Sequence, residues 1–530
     1  MVRRNAASNE RARLPGARGT PRQQHDNGEG QYFAIVHSNK RSTTVAIAGD
    51  CRHNRRRMKI LMAASEAHPY AKTGGLADVV GALPFSLKAR GEEVAVALPL
   101  YPSATPYTRT AERVYDRLLV SMGDTVWECA VKRIIDRDVS FYFIDCPELY
   151  DRSSLYGEGG KDYPDNDVRF GVFSRAVLGI VRSLFRPDIL HCHDWQAALV
   201  PVLMREKFRL DPTYYGIKVL LTIHNLGYQG IFPPTTLDSL GLPQDLLNPE
   251  SMEFYGQINL LKAGIVYSDA LNTVSKAYAK EIQTEEYGFG LDGLLRRRAD
   301  VLTGILNGVD YEEWNPEKDA YIACPYDSND LGGKQACKQD LLETFGLPSG
   351  RLDTPVVGIV SRFVDQKGFD LIEAIADDLA HENLLMTIIG TGEPRYEEMF
   401  QQLAEKYPEK ISVRVTYSDE LAHKIEAGAD LFLMPSRYEP CGLNQIYSLK
   451  YGAVPIVRAT GGLDDTINDR NGFKFHEYSG QALLEAIRTA LSAYGNKVRW
   501  NALVRNGMQA DFSWNASAAE YSELYRRIAG

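Results

Sequence analysis

Short apolar runs recur along most of the chain, and stretches with helical spacing follow many of them. The runs fall at 60–64, 94–98, 189–192, 219–223, 270–274, 301–306, 356–360, 385–389, 411–416, 431–434 and 454–457. Runs of four to six residues, mostly apolar or alternating, bounded by polar or glycine-rich residues suit strands buried on both faces of a parallel sheet. Between them, runs at 114–120, 127–131 and 141–144 predict further strands, with Asp136-Arg137-Asp138 in a hairpin turn. Leu76, Val79, Val80, Leu83 and Leu87 follow at three-and-four spacing and predict a helix, which Pro84 is expected to kink or restart. Further helices are expected at 170–185, after the N-cap Ser275, near 334–345 and from 369. Near the end, Trp514, Ala518, Tyr521, Tyr525 and Ile528 repeat as on a helix, which we expect to pack back on the first domain.

The alternation comes in two blocks, and T-G-G-L-x-D occurs once in each, at 73–78 and 460–465. Each copy follows a strand and opens a helix. An α/β fold of two facing Rossmann-like domains with parallel sheets follows. The expected boundaries are 58–310 for an N-terminal domain, 311–355 for a connection, 356–505 for a C-terminal domain and 506–530 for the closing helix. Residues 1–57 show no periodicity and are expected to be a basic extension without catalytic role, either disordered or non-native with synthesis starting at Met58.

With 530 residues, two large domains are needed. Apolar residues make up 44% and charged residues 24%, as in ordinary globular proteins. No apolar run approaches the ~18 residues of a membrane span, so no membrane association is expected. The seven cysteines (51, 129, 146, 192, 324, 337, 441) form no CxxC pair, which argues against a disulfide framework or zinc ribbon. Residues 1–57 hold 12 Lys/Arg against 4 Asp/Glu, whereas the remainder holds 48 against 65. That acidic body is not built to hold nucleic acid, and anionic ligands must be met by local cations.

Candidate chemistry gathers after the strands. Lys72 precedes Gly74 and Gly75 at a helix start, where glycines let a phosphate approach backbone N–H groups. Asp194 and Trp195 follow one strand and offer a hydrogen bond and a stacking face, or else a helix cap and a core ring. His191 and His193 share a face of that strand; without a third ligand nearby they read as a polar site edge. His224 and Asn225 follow the next strand, and Asn307-Gly308 another. Arg362 and Lys367, five apart, can face one diphosphate or simply be solvated. In 430–452, a buried strand, a loop with Glu439, Pro440, Cys441 and Gly442, and a helix follow one another. Open α/β sheets bind ligands at such points. From this stretch alone, Glu439 reads equally as an acid favoured by a helix start. The pairs Asp136/Asp138 and Asp165/Asp167 resemble metal-holding DxD motifs but are more readily turn residues.

The motifs K-T-G-G-L-A-D-V (72–79), H-D-W-Q (193–196), H-N-L-G-Y-Q-G (224–230), N-G-V-D (307–310), S-R-F with Q-K-G (361–368), E-P-C-G-L-N-Q (439–445) and T-G-G-L-D-D-T (460–466) occur in this order. In them the chain resembles bacterial glycogen synthases and plant starch synthases from residue 58 to its end. The resemblance implies a GT-B fold with the active site between two Rossmann-like domains. It also implies transfer of glucose from ADP-glucose to the non-reducing end of an α-1,4-glucan, with retention and without a metal or other cofactor. It carries Glu439, His224, Arg362 and Lys367 over as catalytic residues. Lys72, Gly74, Gly75, Asp78, Asp194, Trp195, Asn307, Cys441, Gly442, Gly461 and Gly462 become substrate contacts, with N–H groups offered by Gly74, Gly75, Gly461 and Gly462. Another retaining GT-B enzyme, using UDP-glucose or a small acceptor, and a silent glucan-binding homologue are the alternatives. A bacterial cytoplasmic setting is expected, with a plastid as the other option.

Overall fold

The computed structural model describes residues 57–530. The expectation for residues 1–57 therefore lies almost wholly outside the described residues.

Two sheets carry the strand runs. The first orders its nine strands Leu302–Gly304, Ala270–Thr273, Lys218–Ile223, Ile189–His193, Lys59–Ala63, Glu93–Pro99, Val139–Asp145, Thr125–Asp136 and Glu112–Met122. Seven of these are mutually parallel, and their side chains are largely buried because helices cover both faces. The sheet then continues through an antiparallel hairpin, Thr125–Asp136 against Val139–Asp145, and a last antiparallel edge strand. Arg137 and Asp138 form the hairpin turn with φ of 45° and 63°, as a two-residue loop with left-handed central residues requires.

The second sheet is wholly parallel, in the order Ile411–Val415, Leu385–Gly390, Val356–Val360, Leu431–Met434, Val454–Arg458, Phe473–Phe475. Numbered along the chain this is 3-2-1-4-5-6, the doubly wound Rossmann order. The strand order reverses between Val356–Val360 and Leu431–Met434. In the first sheet it reverses between Lys59–Ala63 and Ile189–His193. At such a switch point successive connections leave to opposite faces and open a crevice at the strands' carboxyl ends.

The helix Gly75–Ala89 runs unbroken through Pro84, contrary to the expected restart. The closing helix Trp514–Ala529 buries Trp514, Ala518, Tyr521, Leu524 and Tyr525 in one core with Val79, Val80, Leu83 and Leu87 of that helix. The last element of the chain thus completes the core of the first sheet. Its polar atoms are paired there too: the Tyr525 hydroxyl meets His191 Nδ1 at 2.9 Å, and the Tyr521 hydroxyl donates to Asn272 Oδ1 at 2.9 Å.

Candidate active site

Both crevices open into one cleft of about 760 Å³. The loop after Lys59–Ala63 brings Glu66, Lys72, Thr73, Gly74 and Gly75 to it. Asp194 and Trp195 come from the end of Ile189–His193, and His224 from the end of Lys218–Ile223. Across the cleft, the loop after Val356–Val360 brings Arg362 and Lys367, and the loop after Leu431–Met434 brings Ser436, Glu439, Cys441 and Gly442.

Glu439 does not cap the helix Asn444–Lys450 that follows it. Its carboxylate accepts from Lys367 Nζ at 2.6 Å and from Ser436 Oγ at 3.0 Å, and the residue is only 6% exposed. The ion pair compensates the burial of the charge. It leaves two further N–H donors on the Lys367 ammonium. Arg362 is exposed and has no carboxylate partner among the described residues. It is thus an uncommitted guanidinium on the cleft wall.

On the opposite wall, Glu66 organises the Lys72–Gly75 loop. It accepts from the Thr73 N–H and from the Thr73 and Tyr156 hydroxyls. Gly74 is extended, and the helix starts at Gly75, so the first amides of that helix lack intrahelical partners. A Cβ added at Gly74 or Gly75 would meet nothing within 4 Å, so the backbone lies bare. Lys72 Nζ donates to Asp78 Oδ1 at 2.7 Å. Burial alone lowers the Lys72 ammonium, but the Asp78 carboxylate outweighs it, and the net shift is upward. Asp78 thus acts on Lys72 and holds its charge in place.

Asp194 opens a short helix at φ 54°, a left-handed conformation that Asp tolerates better than most residues. Its carboxylate accepts the His224 N–H at 2.7 Å. Burial raises its pKa to about 7, against backbone hydrogen bonds that lower it. His224 Nε2 meets His193 Nδ1 at 3.0 Å, and burial pushes the His224 pKa down to about 3. At neutral pH His224 is therefore an uncharged hydrogen-bonding group. His191 and His193 are fully buried and lie outside the cleft wall, so they are not the expected site edge. Their rings lie 4.1 Å apart, tilted by 34°, and join His224 to Tyr525 of the closing helix.

Trp195 is less open than expected. Its ring packs on Phe170 and Phe232, and a Cβ added at Gly230 would sit 2.5 Å from it. At 8% exposure it is chiefly a core ring whose edge reaches the cleft. Asn307 lines the cleft, is 4% exposed and has no partner for Oδ1 among the described residues. The Cys441 thiol is buried and its pKa rises to about 12 through burial, which leaves it unsuited to act as a nucleophile.

Gly461 and Gly462 are the clear correction. The Gly461 N–H donates to Glu281 Oε1 at 2.8 Å, and the Gly462 N–H donates to the Glu439 carbonyl at 3.0 Å. Neither residue lines the cleft. A Cβ at Gly461 would come 2.0 Å from the Glu439 carbonyl oxygen, and one at Gly462 would come 1.9 Å from that of Cys441. These glycines let a helix press against the Glu439 loop; their N–H groups are already used within the protein. The two T-G-G-L-x-D copies therefore do different work.

The DxD pairs are also committed elsewhere. Asp136 ends the strand before the hairpin turn, and Asp138 lies in that turn. Asp165 pairs with Arg152, and Asp167 accepts from the Thr236 hydroxyl.

Sequence reasoning missed Glu66, whose signal was an acid directly after a strand's carboxyl end. It also missed a set of hydrogen bonds joining the two halves. The Ser275 hydroxyl donates to the Pro440 carbonyl at 2.6 Å. Asp465 Oδ2 accepts the N–H groups of Lys276 and Ala277 at 2.6 and 3.0 Å. Glu281 accepts from the Thr460 hydroxyl as well as from Gly461. Ser275 and the 460–466 motif were marked locally as helix starts, but their pairing was not, because the partners lie more than 160 positions apart.

Two sheets with facing switch points, cations on both walls of the cleft and a buried carboxylate on one of them define a glycosyltransferase that takes a nucleotide-activated sugar. Residues 59–297 match the family described as starch synthase catalytic domain, and residues 348–506 match glycosyl transferases group 1. A glycogen synthase of Koribacter versatilis is 52% identical over 480 residues, covering 89% of this chain and 98% of that protein. One from Anaeromyxobacter dehalogenans is 46% identical, covering 89% and 100%. Among solved structures, the catalytic domain of starch synthase IV from Arabidopsis thaliana, bound to ADP and acarbose, superposes with a TM-score of 0.80. It is 32% identical, with 89% of this chain and 99% of that one covered. The chain belongs to the glycogen synthase and starch synthase family.

Proposed function

We propose that the protein transfers glucose from ADP-glucose to the non-reducing end of an α-1,4-glucan, with retention at the anomeric carbon. The observation that carries this reading is the cleft itself: Lys72 and the bare Gly74–Gly75 helix start on one wall, Arg362, Lys367 and Glu439 on the other. In the reaction the bond from C1 of the glucose to the diphosphate oxygen breaks. A bond from C1 to the acceptor O4 forms on the same face. The acceptor's hydroxyl proton passes to the departing phosphate oxygen. Negative charge grows on the diphosphate, and preorganised cations and N–H dipoles of the cleft walls stabilise it. Arg362 and Lys367 are the principal diphosphate contacts, and Lys72 with the amides of Gly74 and Gly75 are donor contacts from the other wall. Glu439 holds the glucose hydroxyls and stabilises the positive charge at C1; the paired Lys367 holds its carboxylate in place. His224, held neutral, donates or accepts a hydrogen bond at the sugar. Asp194, Trp195, Asn307 and the backbone of Cys441 and Gly442 complete the sugar and acceptor pocket.

With three cations on the cleft walls, the reading includes no metal, and turnover should persist after treatment with EDTA. A bacterial cytoplasmic setting goes with this reading; the similar glycogen synthases named above come from bacteria. No helix among the described residues is long and apolar enough to cross a membrane. The deciding experiment compares ADP-glucose with UDP-glucose, using glycogen and maltose as acceptors. Transfer from ADP-glucose to glycogen at a higher kcat/KM than from UDP-glucose is expected; no transfer from ADP-glucose would overturn the reading.

A further inference from the structure

A group of exposed aromatic rings starts at the cleft and continues beyond it. Tyr255 is 82% exposed, Tyr228 57% and Phe289 39%. A soluble surface keeps large rings in contact with water at a free-energy cost, so a cluster of them calls for an explanation. These rings are neighbours. Phe289 meets Tyr438 at 5.6 Å, and Phe254 meets Tyr255 at 4.7 Å. A Cβ added at Gly290, next to Phe289, would lie 3.0 Å from the Phe254 ring and 3.4 Å from that of Tyr255. One added at Gly227, next to Tyr228, would lie 3.3 Å from the Tyr438 hydroxyl and 3.7 Å from Phe289. Tyr228 itself lines the cleft. A continuous aromatic strip therefore leads from the cleft onto the outer surface.

The backbone adds a second, independent observation. Tyr255 has φ 50° and Phe289 has φ 47°, each followed by a left-handed glycine, Gly256 at 78° and Gly290 at 80°. Bulky residues avoid this region, and such strain persists only where the surroundings impose it. Here specific hydrogen bonds impose it. The Gly256 N–H donates to Glu253 Oε1 at 2.7 Å, and Gln229 Nε2 donates to the Phe289 carbonyl at 3.1 Å. Asn259 Nδ2 in turn donates to Gln229 Oε1. Gln229 sits five residues after His224, in the same loop. Since neither ring is buried, packing of the core does not account for the strained display.

We propose that Tyr255 and Phe289, continued by Tyr438 and Tyr228, form a platform that holds an α-glucan chain beyond the cleft. This rests on the glucan-acceptor reading above and extends it to sugar units several residues from the growing end. Aromatic faces bind the C–H face of a pyranose, and phenol hydroxyls reach its hydroxyl groups, so the ring set suits a polysaccharide. Continuity with the cleft through Tyr228 points to the acceptor chain as occupant.

The test uses Tyr255→Asn and Phe289→Asn, singly and together, in the full chain. Asparagine tolerates the left-handed backbone, so the fold is kept while the rings are removed. Binding of glycogen and maltoheptaose without donor is measured by affinity electrophoresis, and KM for glycogen and for maltose by transfer assay. The double variant should lose about tenfold in affinity for glycogen and maltoheptaose. KM for maltose, KM for the donor and the thermal midpoint should stay unchanged. Equal glycogen affinity in the wild type and the double variant would overturn the platform, as would an equal rise in KM for maltose and glycogen. Failure of the acceptor reading shows separately, as absence of transfer to any glucan by the wild type. If the double variant unfolds, the single Tyr255→Asn variant decides, because that ring is almost free of the surrounding structure.

Discussion

At the level of single residues, burial and pairing set what each group can do. Glu439 is held by Lys367 and Ser436, so Glu439→Gln keeps the shape and removes the charge. Turnover should fall by ~10²–10³, the scale of losing one preorganised stabiliser, with the thermal midpoint little changed. Steady-state kinetics beside a melting curve would check this. Asp194 and His224 titrate with opposite sign. Folded Asp194 has a pKa of about 7, above the ~3.9 of an unfolded aspartate. Between those values the folded chain keeps a proton that the unfolded chain has lost, so this group destabilises increasingly as pH rises from ~4 to 7. His224 and His191, at about 3 when folded, lose protons that the unfolded chain binds below ~6.5, and stability falls as pH drops below that value. Asp194→Asn removes only the first dependence. The stability of the variant relative to the wild type should rise by about 1.4 kcal/mol per pH unit between pH 5 and 6, read from melting curves at each pH.

At the level of elements, the two T-G-G-L-x-D segments look alike and behave differently. Each opens a helix after a strand, and the pattern of apolar spacing foretold both. What the second helix presses against is a loop whose carbonyls lie within 2.0 Å of where a side chain would begin. Gly462→Ala should therefore push the Glu439 loop aside, at a cost of ~1–3 kcal/mol, and take turnover with it. Gly75→Ala meets open space and should leave the melting curve unchanged while raising KM for the donor. Parallel denaturation and kinetics on the two variants separate packing from donor contact. A similar outcome for both would refute the assignment.

For the whole molecule, the cleft depends on how the two halves are joined. Asp465 caps the helix Lys276–Glu281 from the other half, and Ser275 and Glu281 bind the Glu439 and Gly461 segments in return. Asp465→Ala removes two charge-assisted hydrogen bonds, at a cost of about 1 kcal/mol, and should lower the thermal midpoint by ~2–4 °C. Because the same bonds set the distance across the cleft, kcat/KM should drop several-fold, with partial recovery in Asp465→Asn. Unchanged kinetics with a lowered midpoint would make this contact purely structural.

Strand runs such as 356–360 and 431–434, the helix-start glycines and the cations after strands were legible in the chain, because period and turn chemistry are local properties. The grouping of Lys72, Arg362, Lys367 and Glu439 was legible only through ordered motifs. Tertiary structure decided the rest. It turned Gly461 and Gly462 from donor contacts into packing glycines, left Trp195 a largely buried ring with only its edge at the cleft, and made His191 and His193 buried links to the closing helix. It also placed Tyr255 and Phe289 side by side. The physical reason is the same in each case: whether an N–H, a ring face or a carboxylate is available depends on which distant segment has already taken it, and spacing along a chain does not record that.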